Sequence, residues 1–536
     1  MKFFHQLAEC LQRPFRKHFL FLISFYLLVL LPYFLLQISW LMGNVYIAAH
    51  CFLFAYFITL LVSLIKPDAV RKVIQGILIV LAALCFAGNV YCCVELGYRL
   101  DADVIMLVLG TDIHEAKEFT SGLVPTWMIL AVGGFLLFLA ILGLISRRHQ
   151  MNLGKKASWL AMIGLIACVA LNLHRWDIWE CGPIAFLSEL TQIERTTNLK
   201  AHFSHPEVNV VPQERPTHVV LIIGESFARC HSSLYGYDKP TNPNLTAYRD
   251  SSLLFTFDSI DSPAPTTSQS IKLLMSTFGE ADDQPSNSTK WYDYPTILEL
   301  MMTCGYDCYW FSNQARGNKH NSTARMFADA CEQSWFLQQE GGEKFNVRQD
   351  MVLVDSSYQF VHHLDPQGHH FIIYHMIGSH YNYGMRYPED FAKFTEADYM
   401  SHPQSHQEIL AMYDNSILYN DYVVSQLFNL YKDQEAIVIY LPDHGQVMYR
   451  DPKVPDYFMH GNTNDPVSYA AGVEIPFMIF ASRSYQARHP ETMRRIQARQ
   501  NQPKAWNADD LPFLIMDLIG VKDVNGESVL TKSILD

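Results

Sequence analysis

The sequence is short of charge for its length. Of 536 residues, 17% are Asp, Glu, Lys or Arg and 49% are hydrophobic. A soluble protein of this size carries about a quarter charged residues, so part of this chain is expected in a membrane. Long runs of Lys or Arg are also missing, and the formal charge is −13. A nucleic-acid binder needs a basic face, so no nucleic-acid partner is expected. Zinc-finger spacing is absent too, because the eleven cysteines form no C-x-x-C or Cys/His pattern. Cys10, Cys51, Cys85, Cys92 and Cys93 fall in the apolar first hundred residues and read as small core residues. Among Cys304, Cys308 and Cys331 one disulfide is expected if that part of the chain lies outside the cytoplasm. There is no internal repeat and no low-complexity tract.

Long hydrophobic runs are what the chain does have. Crossing a bilayer takes roughly 20 apolar residues, and about five stretches qualify: 18–41, 45–65, 73–95, 123–145 and 157–173. The first is too long for a signal peptide and no small-residue cleavage site follows it, so it is expected to stay in the mature protein. Basic residues mark alternate loops: Arg13, Arg16 and Lys17; Lys66, Arg71 and Lys72; Arg147, Arg148, Lys155 and Lys156. The loop 97–122 instead carries Asp101, Asp103, Asp112, Glu115 and Glu118. Cationic loops stay in the cytoplasm, which puts the amino terminus inside and everything after residue 173 outside. Residues 174–200 mix Trp176, Trp179, Phe186 and Leu190 with polar residues, as an interfacial helix does. Pro206, Pro212 and Pro216 mark a linker. The expected organisation is an all-α transmembrane domain over 1–173, an interfacial helix and linker over 174–216, and an external domain over 217–536.

In that last part, short runs rich in Val, Ile and aromatics (218–223, 307–311, 371–375, 436–441 and 477–480) alternate with helical patterns such as 294–303 and 407–431. Near-continuous apolar strands separated by helices predict an α/β domain with a mainly parallel sheet covered on both faces. In such sheets ligands bind beyond the carboxyl ends of the strands. Three of the predicted strands deliver Glu225, His380, Asp443 and His444 to that edge. One acid or histidine there is commonly a cap, whereas several converging suit a metal. Carboxylate oxygen and imidazole nitrogen are zinc ligands, and a catalytic site keeps a position open. The loop 261–270 offers hydroxyls at Thr266, Thr267 and Ser268 just before an apolar helical run. Hydroxyls at a helix start are often caps; the functional reading is a nucleophile activated by the metal where helix N–H groups stabilise an anion.

Several motifs, taken together and in order, resemble those of the bacterial inner-membrane phosphoethanolamine transferases that modify lipid A or lipopolysaccharide core. They are Gly-Glu-Ser-Phe-Ala-Arg (224–229), Leu-Tyr-Gly-Tyr-Asp-Lys-Pro-Thr-Asn-Pro-Asn-Leu (234–245), Gly-Ser-His (378–380), Tyr-Asp-Asn-Ser-Ile (413–417), Pro-Asp-His-Gly (442–445) and Met-His-Gly (459–461). The resemblance implies an alkaline-phosphatase/sulfatase-like fold in the periplasm of a multi-pass inner-membrane protein. It implies one tight zinc site, with a second left open, and transfer of phosphoethanolamine from phosphatidylethanolamine to lipid A or lipopolysaccharide core. That modification would protect the surface against cationic peptides such as polymyxin. By matching position, Glu225, Asp443 and His444 would hold zinc, and Thr267 would be both ligand and nucleophile. His380 and His460 would contact the phosphoryl group or a second zinc, and Lys319 would contact phosphate.

This sequence also departs from the family pattern. A cysteine pair that flanks the nucleophile in many relatives is replaced by Pro263 and Leu273, so Thr266 and Ser268 stay open beside Thr267. A glycan acceptor, a phosphodiesterase and a non-enzymatic membrane scaffold remain as alternatives. A serine-hydrolase elbow fails because Ala228 stands where Gly-x-Ser-x-Gly needs glycine. The formylglycine context of a true sulfatase, Cys/Ser-x-Pro-x-Arg, is not supplied by 262–266.

Overall fold

Apolar runs with no polar face fold as helices that are hydrophobic all round, and among the described residues Phe19–Leu35, Leu41–Ser63 and Lys155–His174 do so. The computed structural model describes residues 2–35, 41–91, 133–134, 137, 152–174, 199–204, 206–210, 215–279, 291–316, 323–338, 348–453, 455–460, 465–500 and 505–535. These fall into two compact units, one ending at residue 174 and the other beginning at residue 199.

The first unit holds α1 (Phe19–Leu35), α2 (Leu41–Ser63), α3 (Asp68–Tyr91) and α4 (Lys155–His174). Within them Val45–Ser63, Asp68–Gly88 and Lys155–Leu173 are long and apolar enough to cross a membrane, and Phe19–Leu31 is a shorter apolar helix. The α3 helix starts after Pro67 with Asp68, which pairs with Lys72 at 2.6 Å and with Arg71. Inside the unit Leu22, Phe25, Ala55, Tyr56, Ala83 and Leu165 pack together, and His50 Nδ1 bonds to Asn172 Oδ1 at 2.9 Å between α2 and α4. Outside, Leu84, Leu160 and Ile166 are exposed, a surface that suits lipid and not water. The expected stretch 123–145, save 133–134 and 137, and nearly all of 174–200 lie outside the described residues.

The second unit is built on a seven-stranded sheet of β1 (His218–Gly224), β2 (Leu254–Phe257), β3 (Asp307–Ser312), β4 (Gln333–Phe336), β5 (His370–His375), β6 (Ala436–Pro442) and β7 (Phe477–Ala481). The strand order is β2-β7-β6-β1-β5-β3-β4. All neighbours are parallel except β6 with β7 and β2 with β7. Successive side chains of a strand point to opposite faces, and here both faces are covered. Val219, Leu221 and Ile223 of β1 join one core together with Ile437, Ile439 and Leu441. Val220 and Ile222 join the other, with Ile372 and Val438. Burying such a side chain contributes about 1.5–3 kcal/mol, so each alternate residue of the run anchors its own layer.

The five predicted strands are therefore all present. The edge strands β2 and β4, short and partly polar, carry no such run. The helix expected over 407–431 is Gln404–Tyr431, and that over 294–303 is Ile297–Thr303.

The expected disulfide is not formed. Cys304, Cys308 and Cys331 are free and buried and belong to one apolar core. Cys308 Sγ faces the carbonyls of Leu298 and Tyr306 at 4.0 and 3.9 Å, and Cys331 Sγ that of Phe327 at 3.6 Å. Burial pushes all three thiols up, which disfavours the thiolate that disulfide chemistry needs. The expectation rested on compartment alone; the packing makes these residues small core side chains.

Candidate metal centre

Register sets the site. Ile223 of β1 pairs with His375 of β5 on one side and Leu441 of β6 on the other, and Gly224 pairs with Pro442. Glu225 and Asp443 therefore follow their strands at the same level, with His444 next. Their ligand atoms all lie within 4.8 Å of one another and all three residues are buried. His444 Nε2 is 3.3 Å from Glu225 Oε1 and 3.6 Å from Asp443 Oδ2. The imidazole is oriented by its other nitrogen, Nδ1, 2.8 Å from the carbonyl of Gly445, the kind of outer contact that fixes a ligand histidine.

The electrostatics of this corner are those of a cation site. Glu225 is held well below the usual carboxylate range, because although burial works to raise it, the bond and charge of His444 and the charge of His380 win. Burial, then the charge of Glu225, pushes Asp443 up to about 7. Burial alone would lower His444, yet Asp443 and Glu225 raise it to about 9. Asp443 Oδ2 is buried without a hydrogen bond of good geometry, although the Thr267 hydroxyl is near enough to help lower its carboxyl. Two carboxylates, one imidazole and an under-satisfied oxygen converging in a dry corner fit a divalent ion of zinc type.

Thr267 is the first residue of α5 (Thr267–Leu274), with Thr266 as its N-cap. Its Oγ1 lies 3.3 Å from Glu225 Oε2 and 3.3 Å from His444 Nε2. The two competing hydroxyls look elsewhere: Thr266 Oγ1 to Gln269 Oε1 at 3.2 Å, and Ser268 Oγ to Thr323 Oγ1 at 3.1 Å. His460 joins the group, its ring 4.1 Å from that of His444 and its Nδ1 3.0 Å from Gln446 Oε1. Burial, then the charge of His444, holds His460 well below the usual histidine range. His380 stands on the loop after β5, its Nδ1 3.3 Å from the carbonyl of Tyr381. Lys319 lies outside the described residues.

Glycine is required twice around these residues. Gly378 has φ +47°, and a Cβ there would stand 2.8 Å from the Glu225 backbone nitrogen. A Cβ on Gly445 would meet the carbonyl oxygens of Ala471 and Glu474 at 2.6 and 2.9 Å.

Sequence reading passed over several supporting residues. Gln314 Nε2 reaches Glu225 Oε2 at 3.3 Å and the Met376 carbonyl at 3.0 Å. Asp350, fully enclosed, accepts from the backbone of Ile377 and Gly378 at 2.9 and 2.8 Å and from Asn313 Nδ2 at 2.8 Å. Tyr413 donates to the Ser226 carbonyl at 2.7 Å and accepts from Ala228 N–H at 2.9 Å, bracketing Ser226, whose φ is +55°. Ser226 itself is buried and donates to Glu225 Oε1 at 2.6 Å. Tyr413 lay inside a motif already singled out; Gln314 and Asp350 had no signal, since their targets are backbone groups and a distant carboxylate.

The sulfatase family matches residues 217–521. Phosphoethanolamine transferase EptC of Escherichia coli is 27% identical over 444 residues, covering 76% of this chain and 73% of that protein. Phosphoethanolamine transferase CptA of Salmonella typhimurium is 29% identical over 489 residues, covering 85% and 81%. Among solved structures, the zinc complex of the C-terminal periplasmic domain of Escherichia coli EptC superposes with a TM-score of 0.54 at 25% identity, covering 62% of this chain and 90% of that one. The integral membrane lipooligosaccharide phosphoethanolamine transferase A of Neisseria meningitidis gives 0.58 over 94% of this chain and 96% of that one; at 16% identity this is a likeness of fold.

Proposed function

The chain belongs to the sulfatase family, and from that premise we propose that it is a zinc-dependent transferase. It moves phosphoethanolamine from phosphatidylethanolamine to lipid A or lipopolysaccharide core through a covalent intermediate on Thr267. The observation that carries this reading is the position of Thr267 Oγ1, 3.3 Å from both Glu225 Oε2 and His444 Nε2 at the start of a helix. The names of the EptC and CptA relatives support the group transferred, and that of the Escherichia coli Kdo(2)-lipid A phosphoethanolamine 7''-transferase, 29% identical over 273 residues, supports a lipid A acceptor.

In this reading Thr267 Oγ1 attacks the phosphorus of the donor while its proton is aimed at Glu225 Oε2. The Oγ1–P bond forms, the bond to the diacylglycerol oxygen breaks, and the proton released by Thr267 ends on that leaving oxygen. Zinc held by Glu225, Asp443 and His444 would lower the pKa of the Thr267 hydroxyl and offset charge on the phosphoryl oxygens. The N–H groups opening α5 face a developing anion, as helix starts do, and His380, His460 and Lys319 are assigned to contacts with the phosphoryl group. An acceptor hydroxyl then attacks the phosphothreonine: its oxygen bonds to phosphorus, the Oγ1–P bond breaks, and the acceptor's proton returns to Thr267 Oγ1. Anchoring through the apolar helices of 1–173 in the inner membrane, with 174–216 as connector and 217–536 in the periplasm, confines enzyme and lipid substrates to one surface.

Incubation with labelled phosphatidylethanolamine and no acceptor should place phosphoethanolamine on the peptide containing Thr267. In cells, lipopolysaccharide should gain the same group with wild type and not with Thr267→Ala. An adduct on Ser226, or none, overturns the intermediate; a modified glycan beside unmodified lipopolysaccharide overturns the acceptor.

A further inference from the structure

Thr267 is held from a second direction. Ser262, before α5, and Ser270, within its first turns, both donate to one acceptor, the backbone carbonyl oxygen of Asp443, the latter at 2.5 Å. Ser262 is 1% exposed and Ser270 is fully enclosed, and their hydroxyl oxygens are 3.1 Å apart. Each hydroxyl has one proton and a carbonyl has two lone pairs, so the pair can fill that acceptor. The alternative acceptor, the Ala264 carbonyl, is 2.9 Å from Ser262 Oγ. Asp443 and the residue after it are two of the three metal-site side chains. Backbone bonds brace the same place: Ser262 N–H donates to the Val473 carbonyl and Gly445 N–H to that of Gly472, each at 2.7 Å.

We infer that Ser262 and Ser270 are positioning residues for the transfer: a two-hydroxyl clamp on the Asp443 carbonyl that sets the reach of Thr267 Oγ1 to Glu225 and His444. The inference rests on the reading that Thr267 is the nucleophile. Its physical content is that the helix carrying the attacking oxygen and the strand end carrying two ligands share one hydrogen-bonded atom. Without the hydroxyls, α5 can shift against Asp443 and His444 while the lipid still binds through other groups. Such a loss falls on kcat and spares KM, whereas hydroxyls that merely satisfy a buried carbonyl would change stability and leave the rate per folded molecule alone.

The full-length zinc-loaded chain in detergent micelles provides the test, with Ser262→Ala, Ser270→Ala, the double variant, and Ser270→Thr as the form that keeps the hydroxyl. The readouts are the single-turnover rate of adduct formation on Thr267 from labelled phosphatidylethanolamine, KM for that lipid, zinc stoichiometry and Tm. The double variant should form adduct about 100-fold more slowly, the loss that a misplacement of about 1 Å brings, with each single near 10-fold. KM and zinc content should hold within about 3-fold, as loss of a transition-state interaction alone requires, and Ser270→Thr should recover most of the rate. A double variant with the wild-type rate, or a rate that falls only in step with zinc or folded protein, overturns the clamp. If Ser270→Thr does not fold, Ser262→Ala, which lies outside the helix, decides by the same kcat-against-KM split. Adduct formation by Thr267→Ala at the wild-type rate would instead remove the nucleophile reading itself.

Discussion

The two ends of the central sheet both bury acids and histidines, and they do opposite things with them. At the amino ends His218 and His370 stack at 5.3 Å. Nearby, Glu435 is met by His489 Nε2 at 2.8 Å, Thr217 Oγ1 at 2.9 Å and Arg488. At the carboxyl ends Glu225 and Asp443 share one imidazole, and Asp443 Oδ2 is left short of a donor. Burial, then the charge of His370, drives His218 down to about 4, while the unmatched acids lift His444 to about 9 against the same burial. Enclosure alone therefore does not mark a site. An excess of buried negative charge over available donors does.

The largest break in that comparison would come from the acids and imidazole themselves. Glu225→Ala, Asp443→Ala and His444→Ala should each lower transfer by at least about 1,000-fold and lose zinc by elemental analysis, whereas Glu435→Gln should lower Tm and leave the rate per folded molecule unchanged. Retained zinc and activity in Asp443→Ala would erase the distinction between the ends.

Next is Gly445→Ala. Its new methyl meets backbone oxygens that no side-chain rotation can move, so about 1–3 kcal/mol of stability should be lost, read by chemical denaturation.

A pH series sharpens the comparison from the other end. Unfolded His218 binds its proton near 6.5 and folded His218 only near 4, so its contribution is complete above pH 6.5 and disappears as pH falls toward 4. The loss reaches about 3 kcal/mol, and His218→Phe should flatten the stability curve across that window.

The smallest effect belongs to Thr266→Ala. Its side chain makes no cap bond, so stability should change by less than the usual loss of about 1 kcal/mol, with adduct formation close to wild type. A large loss there would move the nucleophile one residue back.

How much of this was legible depended on whether the partner of a residue was a pattern or an atom. The central strands announced themselves because a strand covered on both faces must be apolar at every position, as 218–223 and 436–441 are. The edge strands Leu254–Phe257 and Gln333–Phe336 have one neighbour each and need no such run. Glu225, Asp443 and His444 were readable from their place after strands. Which of Thr266, Thr267 and Ser268 turns its hydroxyl toward Glu225 and His444 was not, because adjacent residues at a helix start differ by rotation about its axis and only the distances show that Thr267 does. Ser262 and Ser270 stood in the quoted loop, yet their target is a main-chain carbonyl 181 and 173 residues away, which leaves no trace in side-chain composition. The cysteines misled because compartment says what oxidation is possible, not whether two sulfurs meet.

The shared register of β1 with both neighbours has a consequence for how this site can fail. A slip of one residue in β1 would exchange its two sets of core side chains between faces and would turn Glu225 away from Asp443 in the same movement. For this error, misplacement of Glu225 and loss of the core are then one event, so a slipped β1 does not leave a folded molecule with a partly aligned site. The tolerance on strand register is inherited from the cooperativity of folding, and with respect to this slip a preparation of this protein should behave as a mixture of competent and unfolded molecules with few sluggish ones between.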